Sequence, residues 1–198
     1  ASEQRVAQFR TWLESLGAAA VLRQSATAHL APLAERLKAL RAELAAPRQT
    51  LTQLDQINLE LGALPGKLDR TKAILTFQKA CLEVGQPATN LLVGFAPSTE
   101  KVLPREGPVD IRPAREIQLR LARNEKESFQ VAVLPASGAL KQVSVRVSDL
   151  QSSTGTVLKR EQIQCDVVGY VETKTKPPYA VSHVGWWPDP ILDFLGPV

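Results

Sequence analysis

The sequence contains no methionine, not even at position 1, so its first residue reads as a processed or trimmed end. Ala1-Ser2 fits the mature side of a signal-peptide cut, and export is the expectation drawn from it. There are two cysteines, Cys81 and Cys165, too few for a disulfide framework. They read either as one long-range bridge or as two inert buried thiols, the latter favoured because a free cysteine packs like a small hydrophobe. No apolar run approaches the ~18 residues of a membrane helix, so no membrane span is expected. The 24 Lys and Arg residues outnumber the 20 Asp and Glu by only four. They are spread along the chain, with neither a basic patch nor aromatics set in one, so no nucleic-acid partner is expected. No Asp and Glu stand next to each other anywhere in the chain.

What is present divides in two. Residues 3 to about 84 are rich in Ala, Leu, Gln, Glu, Lys and Arg, which favour helix. Val6, Phe9, Leu13, Leu16 and Ala20 recur three and four apart and give a first helix one apolar stripe. Leu30, Leu33, Leu37, Leu40 and Leu44 repeat the pattern, with Pro32 expected in the first turn and Pro47 closing the helix. A third segment carries Leu51, Leu54, Leu61, Leu64 and Leu68, with Asn58 on the same seam as a register-setting polar residue. Pro65-Gly66 predicts a break or kink there. A last helix over 68–84 is expected to cap at Gly85. Residues 1–90 therefore read as an all-α hairpin or bundle. It either packs on itself or acts as a coiled-coil-like arm for self-association.

Residues 86–90 read as a connection and 91–95 as a short strand, with the boundary between the halves at 96–99. Beyond it, β-branched residues rise and the helical period vanishes. Phe129, Val131 and Val133 alternate with polar or small neighbours, which predicts a strand with that face buried. Ile117, Leu119 and Leu121, and Val143, Val145 and Val147, alternate in the same way. Strands are predicted near 100–104, 116–122, 128–134, 142–148, 156–159 and 163–172, with Pro- and Gly-bearing turns between them. Residues 98–198 therefore read as an antiparallel β-sandwich, and the whole chain as α+β in two domains. A sandwich lacking its closing strand would leave an exposed edge.

Gly185-Trp186-Trp187-Pro188-Asp189-Pro190 is the most unusual stretch. Prolines on both sides of Asp189 exclude a central strand or a helix interior. Four motifs occur in order: ARNEKESFQVAVLP at 122–135, VSVRVSDL at 143–150, VVGYVETK at 167–174 and GWWPDPIL at 185–192. Together they resemble the amino-terminal β-sandwich of glycoside hydrolase family 123-like proteins over about residues 98–198. The resemblance implies an exported bacterial protein in which a (β/α)8 barrel, often classed as a domain of unknown function, follows the sandwich. It implies substrate-assisted hydrolysis of N-acetylhexosaminides by an Asp-Glu pair on that barrel, with no metal or organic cofactor. No such pair exists in this chain, so no catalytic residue is assigned. The alternative is a carbohydrate- or protein-binding assembly module without catalysis.

Trp186, Trp187, Tyr179 and Phe194 are the candidate binding residues, because aromatic faces stack on sugar rings. The reading favoured over sugar binding is that they pack the sandwich or dock it to a following domain, because Leu192, Phe194 and Leu195 continue the apolar run. Asp189 joins them as the carboxylate of the same stretch. With His183 it supplies too few ligands for a closed metal site. Arg123, Asn124 and Glu125 read as a turn held by side-chain hydrogen bonds, of the kind Asn makes. Glu125 and Glu127 make a weak acid–base pair, with nothing in the sequence to shift either. His29 reads as a surface residue of the helical half.

Overall fold

A computed structural model of the protein describes residues 2–15, 19–104, 110–181 and 183–192 and, within the first helix, the side chains of residues 8, 9 and 11–15. Three helices come first: α1 (Ser2–Ser15), α2 (Ala20–Ala45) and α3 (Leu51–Glu83). Strands follow: β1 (Leu91–Pro97), β2 (Arg112–Pro113), β3 (Phe129–Pro135), β4 (Leu150–Gln151), β5 (Val157–Leu158), β6 (Val167–Glu172) and β7 (Trp186–Leu192). The α+β class expected from the sequence is what the chain forms, helices and then antiparallel strands in small sheets. The sheets run β2-β1-β3, β4-β5 and β6-β7. By packing, the chain makes two compact units, Ala1–Glu100 with Glu106–Ala139, and Lys101–Arg105 with Leu140–Val198.

In the first unit the helix boundaries differ from those expected. The first stripe does not belong to one helix: α1 ends at Ser15, Ala20 opens α2, and Leu16 lies outside the described residues. Trp12 and Leu13 pack on Ala26 and Leu75, and the Lys72 ammonium sits 5.5 Å from the centre of the Trp12 ring. Helix α2 begins well before Pro32, which lies in its interior. Pro32 and Ala28, whose carbonyl loses its partner four residues on, are both exposed, so water can satisfy that carbonyl. Nor is there a break at Pro65-Gly66, because α3 runs through it. Buried residues anchor α3 on both sides, with Ile57 before the proline and Thr71, Ile74 and Leu75 after it. Packing thereby overrides local propensity. Asn58 is exposed and Ile57 is the buried residue, so the expected polar seam is not formed.

Two end signals hold α3. Thr50 Oγ1 accepts from Gln53 N at 3.2 Å while Gln53 Oε1 accepts from Thr50 N at 2.8 Å, a reciprocal capping box. At the other end Gly85, with φ of +80°, lets its own N–H reach the Leu82 carbonyl and Gln86 N–H reach that of Cys81, both at 2.9 Å. This is the glycine cap expected at Gly85, closed as a Schellman motif. The Gln86 side chain then serves β1: its amide donates to the Val93 and Ala114 carbonyls and its oxygen accepts from Val93 N.

β1 buries Leu92, Gly94 and Ala96 and pairs with β3 from Leu91↔Pro135 to Pro97↔Phe129. A Cβ on Gly94 would overlap the Ile111 side chain and lie 2.7 Å from Phe77 of α3, so this face of the sheet rests on the helix. In β3 the corresponding residues are Leu134, Ala132 and Gln130. The face expected to be buried is therefore the open one, with Phe129 37% and Val131 48% exposed. Gln130 sits on the helix side because its amide is satisfied there, donating to the Pro97 and Glu100 carbonyls. His29 is not a free surface residue. It is half-buried, and its Nε2 donates to the Ala136 carbonyl at 2.8 Å, tying α2 to the end of β3. The described residues of 100–104, 116–122 and 142–148 are not strands. Ile117, Leu119 and Leu121 alternate in sequence but stay 37–51% exposed, and alternation without a ladder partner makes no strand.

Candidate functional site

In the second unit, β6 and β7 form a two-stranded ribbon that carries the candidate site. Trp186 pairs with Glu172, Trp187 with Val171 and Pro188 with Tyr170. Among the described residues both strands are edges, which is where prolines without an N–H are tolerated. Beyond Tyr170 the register shifts. Pro188 to Ile191 spans three steps while Tyr170 to Val168 spans two, so β7 holds an extra residue at Asp189-Pro190 opposite Gly169. Gly169 is buried, and a Cβ there would come within 2.9 Å of the Pro190 ring and 3.1 Å of Leu192. Glycine and bulge are thus one device.

The entrance to β7 is also fixed. Thr173 N and Oγ1 donate to the Gly185 carbonyl at 2.7 and 3.1 Å, and Gly185 N donates back to Thr173 Oγ1 at 3.1 Å. Gly185 has φ of +142°, with the His183 ring 3.1 Å from where a Cβ would stand. His183 meets Trp187 edge-on, with ring centres 5.2 Å apart at 69°. Lys101 Nζ donates to the Pro188 carbonyl at 3.4 Å, and Tyr170 Oη to that of Val102 at 3.4 Å. Burial pushes the Tyr170 phenol above its ordinary range.

These contacts frame a cleft of about 290 Å³ lined by Lys101, Val171, Thr173, Trp187, Pro188 and Asp189. Val171, Pro188 and Trp187 supply apolar surface, while Thr173, Lys101 and Asp189 bring a hydroxyl, a cation and an anion. The structure therefore brings together two sequence candidates, Trp187 and Asp189. Trp186, its neighbour in an extended strand, does not line the cleft. Tyr179 is 67% exposed in a loop and does not line it. Phe194 falls outside the described residues. Sequence reading missed Lys101, Val171 and Thr173. The last two share one face of VVGYVETK at period two, a signal that became useful only once β7 was known to pair there. Lys101 carries no local signal.

Among the described residues no group of three or more His, Cys, Asp and Glu is placed to hold a metal ion. Glu125 Oε2 accepts from Ala122 N at 2.6 Å and Glu125 N donates to the Ala122 carbonyl, while Asn124 takes the left-handed position at φ of +64°. The 122–125 segment is a turn, as expected, with Glu125 rather than Asn124 supplying the side-chain bond. Both thiols are free, Cys81 buried and Cys165 half-buried. Among the described residues no helix is long and apolar enough to cross a membrane.

Residues 98–183 match the family model of the glycoside hydrolase 123 N-terminal domain. This part of the chain is similar to the amino-terminal domain of glycoside hydrolase 123 proteins. The glycoside hydrolase 123 match takes in the motifs at 122–135, 143–150 and 167–174 and ends before the Trp-Trp-Pro-Asp-Pro stretch. The cleft therefore draws Lys101, Val171 and Thr173 from the matched residues and Trp187, Pro188 and Asp189 from beyond them. No curated protein and no solved structure matches the chain.

Proposed function

We infer that this chain is the non-catalytic amino-terminal region of an exported glycoside hydrolase, and that a (β/α)8 barrel outside it hydrolyses N-acetylhexosaminides. The observation that carries this reading is the match of residues 98–183 to a domain that stands amino-terminal in its family. The chemistry of the cleft supports it. Paired-carboxylate glycoside hydrolysis needs two acidic groups across the scissile bond, and among the described residues Asp189 alone brings a carboxylate to the cleft. The test compares this chain with the whole encoded protein on aryl N-acetylgalactosaminides and N-acetylglucosaminides. Turnover by the whole protein and none by this chain is the expected result. Turnover by this chain that Asp189→Asn abolishes would overturn the reading.

A second reading, an assembly module, is favoured by one observation. Along the α2–α3 hairpin Leu33, Leu37, Leu61, Leu64 and Leu68 are only half-buried, so the paired stripes retain apolar surface. Sedimentation at several concentrations tests it. A mass that rises with concentration supports self-association through the helices, and a strict monomer rejects it.

A further inference from the structure

We propose that the Lys101–Trp187–Asp189 cleft is a carbohydrate-recognition site for a single pyranose residue of a glycan, a binding function separate from hydrolysis. It goes beyond the accessory reading, because it requires no barrel.

Asp189 lines the cleft and is exposed. Among the described residues its carboxylate takes part in no hydrogen bond or ion pair, although Lys101 lines the same cleft and donates instead to the Pro188 carbonyl. Asp189 sits at the β-bulge, and bulges re-aim side chains beside binding sites. The bulge is built in: Pro190 occupies the space that a side chain at position 169 would need, and Gly169 leaves it clear. Trp187 is held from two sides, by its cross-strand partner Val171 and by the edge-on His183 ring. The Thr173–Gly185 latch fixes the ribbon at the same end. A rigid apolar floor with a polar rim is thereby present before any ligand arrives, which lowers the ordering cost of binding.

A pyranose matches this arrangement better than other small solutes. Its C–H face is apolar and suits Trp187, Val171 and Pro188. Its vicinal hydroxyls offer two donors to the two oxygens of one carboxylate, and a further oxygen accepts from the Lys101 ammonium. A purely apolar ligand would leave both charges unused, and an anion would meet Asp189. The volume of about 290 Å³ lies at the low end of ligand pockets, which run from about 300 to 1,000 Å³. One sugar ring fits that size and a long oligosaccharide does not.

The experiment uses the full 198-residue chain, with ligand-detected NMR and calorimetry against glucose, galactose, mannose, N-acetylglucosamine and N-acetylgalactosamine. Saturable binding of at least one sugar in the millimolar range is expected. Asp189→Asn and Lys101→Met, both changes at exposed positions, should each weaken it by about tenfold or more, while Trp186→Phe should leave it unchanged. Trp187→Ala should abolish binding, with circular dichroism checking the fold. No saturable binding by any of the five sugars overturns the proposal, and so does binding that both Asp189→Asn and Lys101→Met leave intact. Either failure leaves the accessory reading standing, because that reading is judged by turnover in the whole protein.

Discussion

Position 94 shows how tightly the first unit is assembled. Gly94 lies in the middle of β1 where Ile111 and Phe77 close over it, with the Arg112 carbonyl 3.2 Å from any added Cβ. None of these atoms is the free end of a long side chain. Gly94→Ala should therefore cost about 1–3 kcal/mol, the usual range for overpacking a filled core, and thermal or urea unfolding would show it. An unchanged midpoint would mean that β1 and α3 are less closely packed than this. Gln78 poses the opposite problem. It is 1% exposed, and neither its amide nitrogen nor its oxygen has a hydrogen-bond partner among the described residues. A buried polar group left unpaired costs about 1–3 kcal/mol. Gln78→Met keeps the length of the side chain and removes that cost, so stability should hold or rise by up to about 2 kcal/mol. A clear fall would show instead that an ordered water serves the amide.

At the level of elements, the α2–α3 pair is set in register by a fork. Arg36 Nε and Nη2 donate to the two oxygens of Glu60 at 2.7 and 2.8 Å, and Nη1 donates to Glu43 at 2.7 Å. The Arg36 hydrogen bonds, with a lesser one from Gln56, hold the Glu60 carboxyl at about 2 instead of the ordinary 4.5. A depressed folded value stabilises the fold above the unfolded value and stops doing so as the group protonates. The contribution is therefore complete above pH 4.5 and disappears as pH falls towards about 2. The pair is partly exposed, so salt weakens it. Helix melting followed across that window should lose stability with acid, and Glu60→Gln should flatten the curve. Asp149, also held low by the Arg160 N–H and Lys159, remains in both proteins, so the difference between them isolates Glu60. The same elements show what sequence could and could not tell. The leucine stripes and the glycine cap at Gly85 were legible because they are local. Continuity through Pro65 was not, because it rests on buried residues on either side of the proline. The strand at 129–135 was legible, but not which of its faces is covered, since α3 approaches from the Gln130 side. Trp187 and Asp189 stood out by composition, whereas Lys101 reaches them only through the fold.

For the whole molecule, the question is where a cooperative unit ends. The change of periodicity divides the sequence at residues 90–98, while packing carries the first unit on to Ala139. Several bonds cross the sequence division. His29 of α2 holds Ala136, Ala136 N donates to the Asn90 carbonyl, Ser137 N donates to Asn90 Oδ1, and Gln86 holds Val93 and Ala114. Leu92 and Ala96 of β1 are 2% and 3% exposed, and Phe77 and Cys81 of α3 are 5% and 1%. A fragment that stops at residue 90 uncovers Phe77 and Cys81 and forfeits about 1.5–3 kcal/mol for a large side chain such as Phe77. A fragment that stops at residue 139 keeps the β2-β1-β3 sheet on its helix. Cys81 reports the difference directly. Burial pushes its thiol up to about 11, so in the folded unit it is both covered and protonated at neutral pH. The 1–139 fragment should unfold cooperatively and protect Cys81 from thiol reagents until it unfolds. The 1–90 fragment should melt broadly and react at once. Slow labelling and a sharp transition in the shorter fragment would instead make the helices a domain in their own right, with the sheet an addition to it.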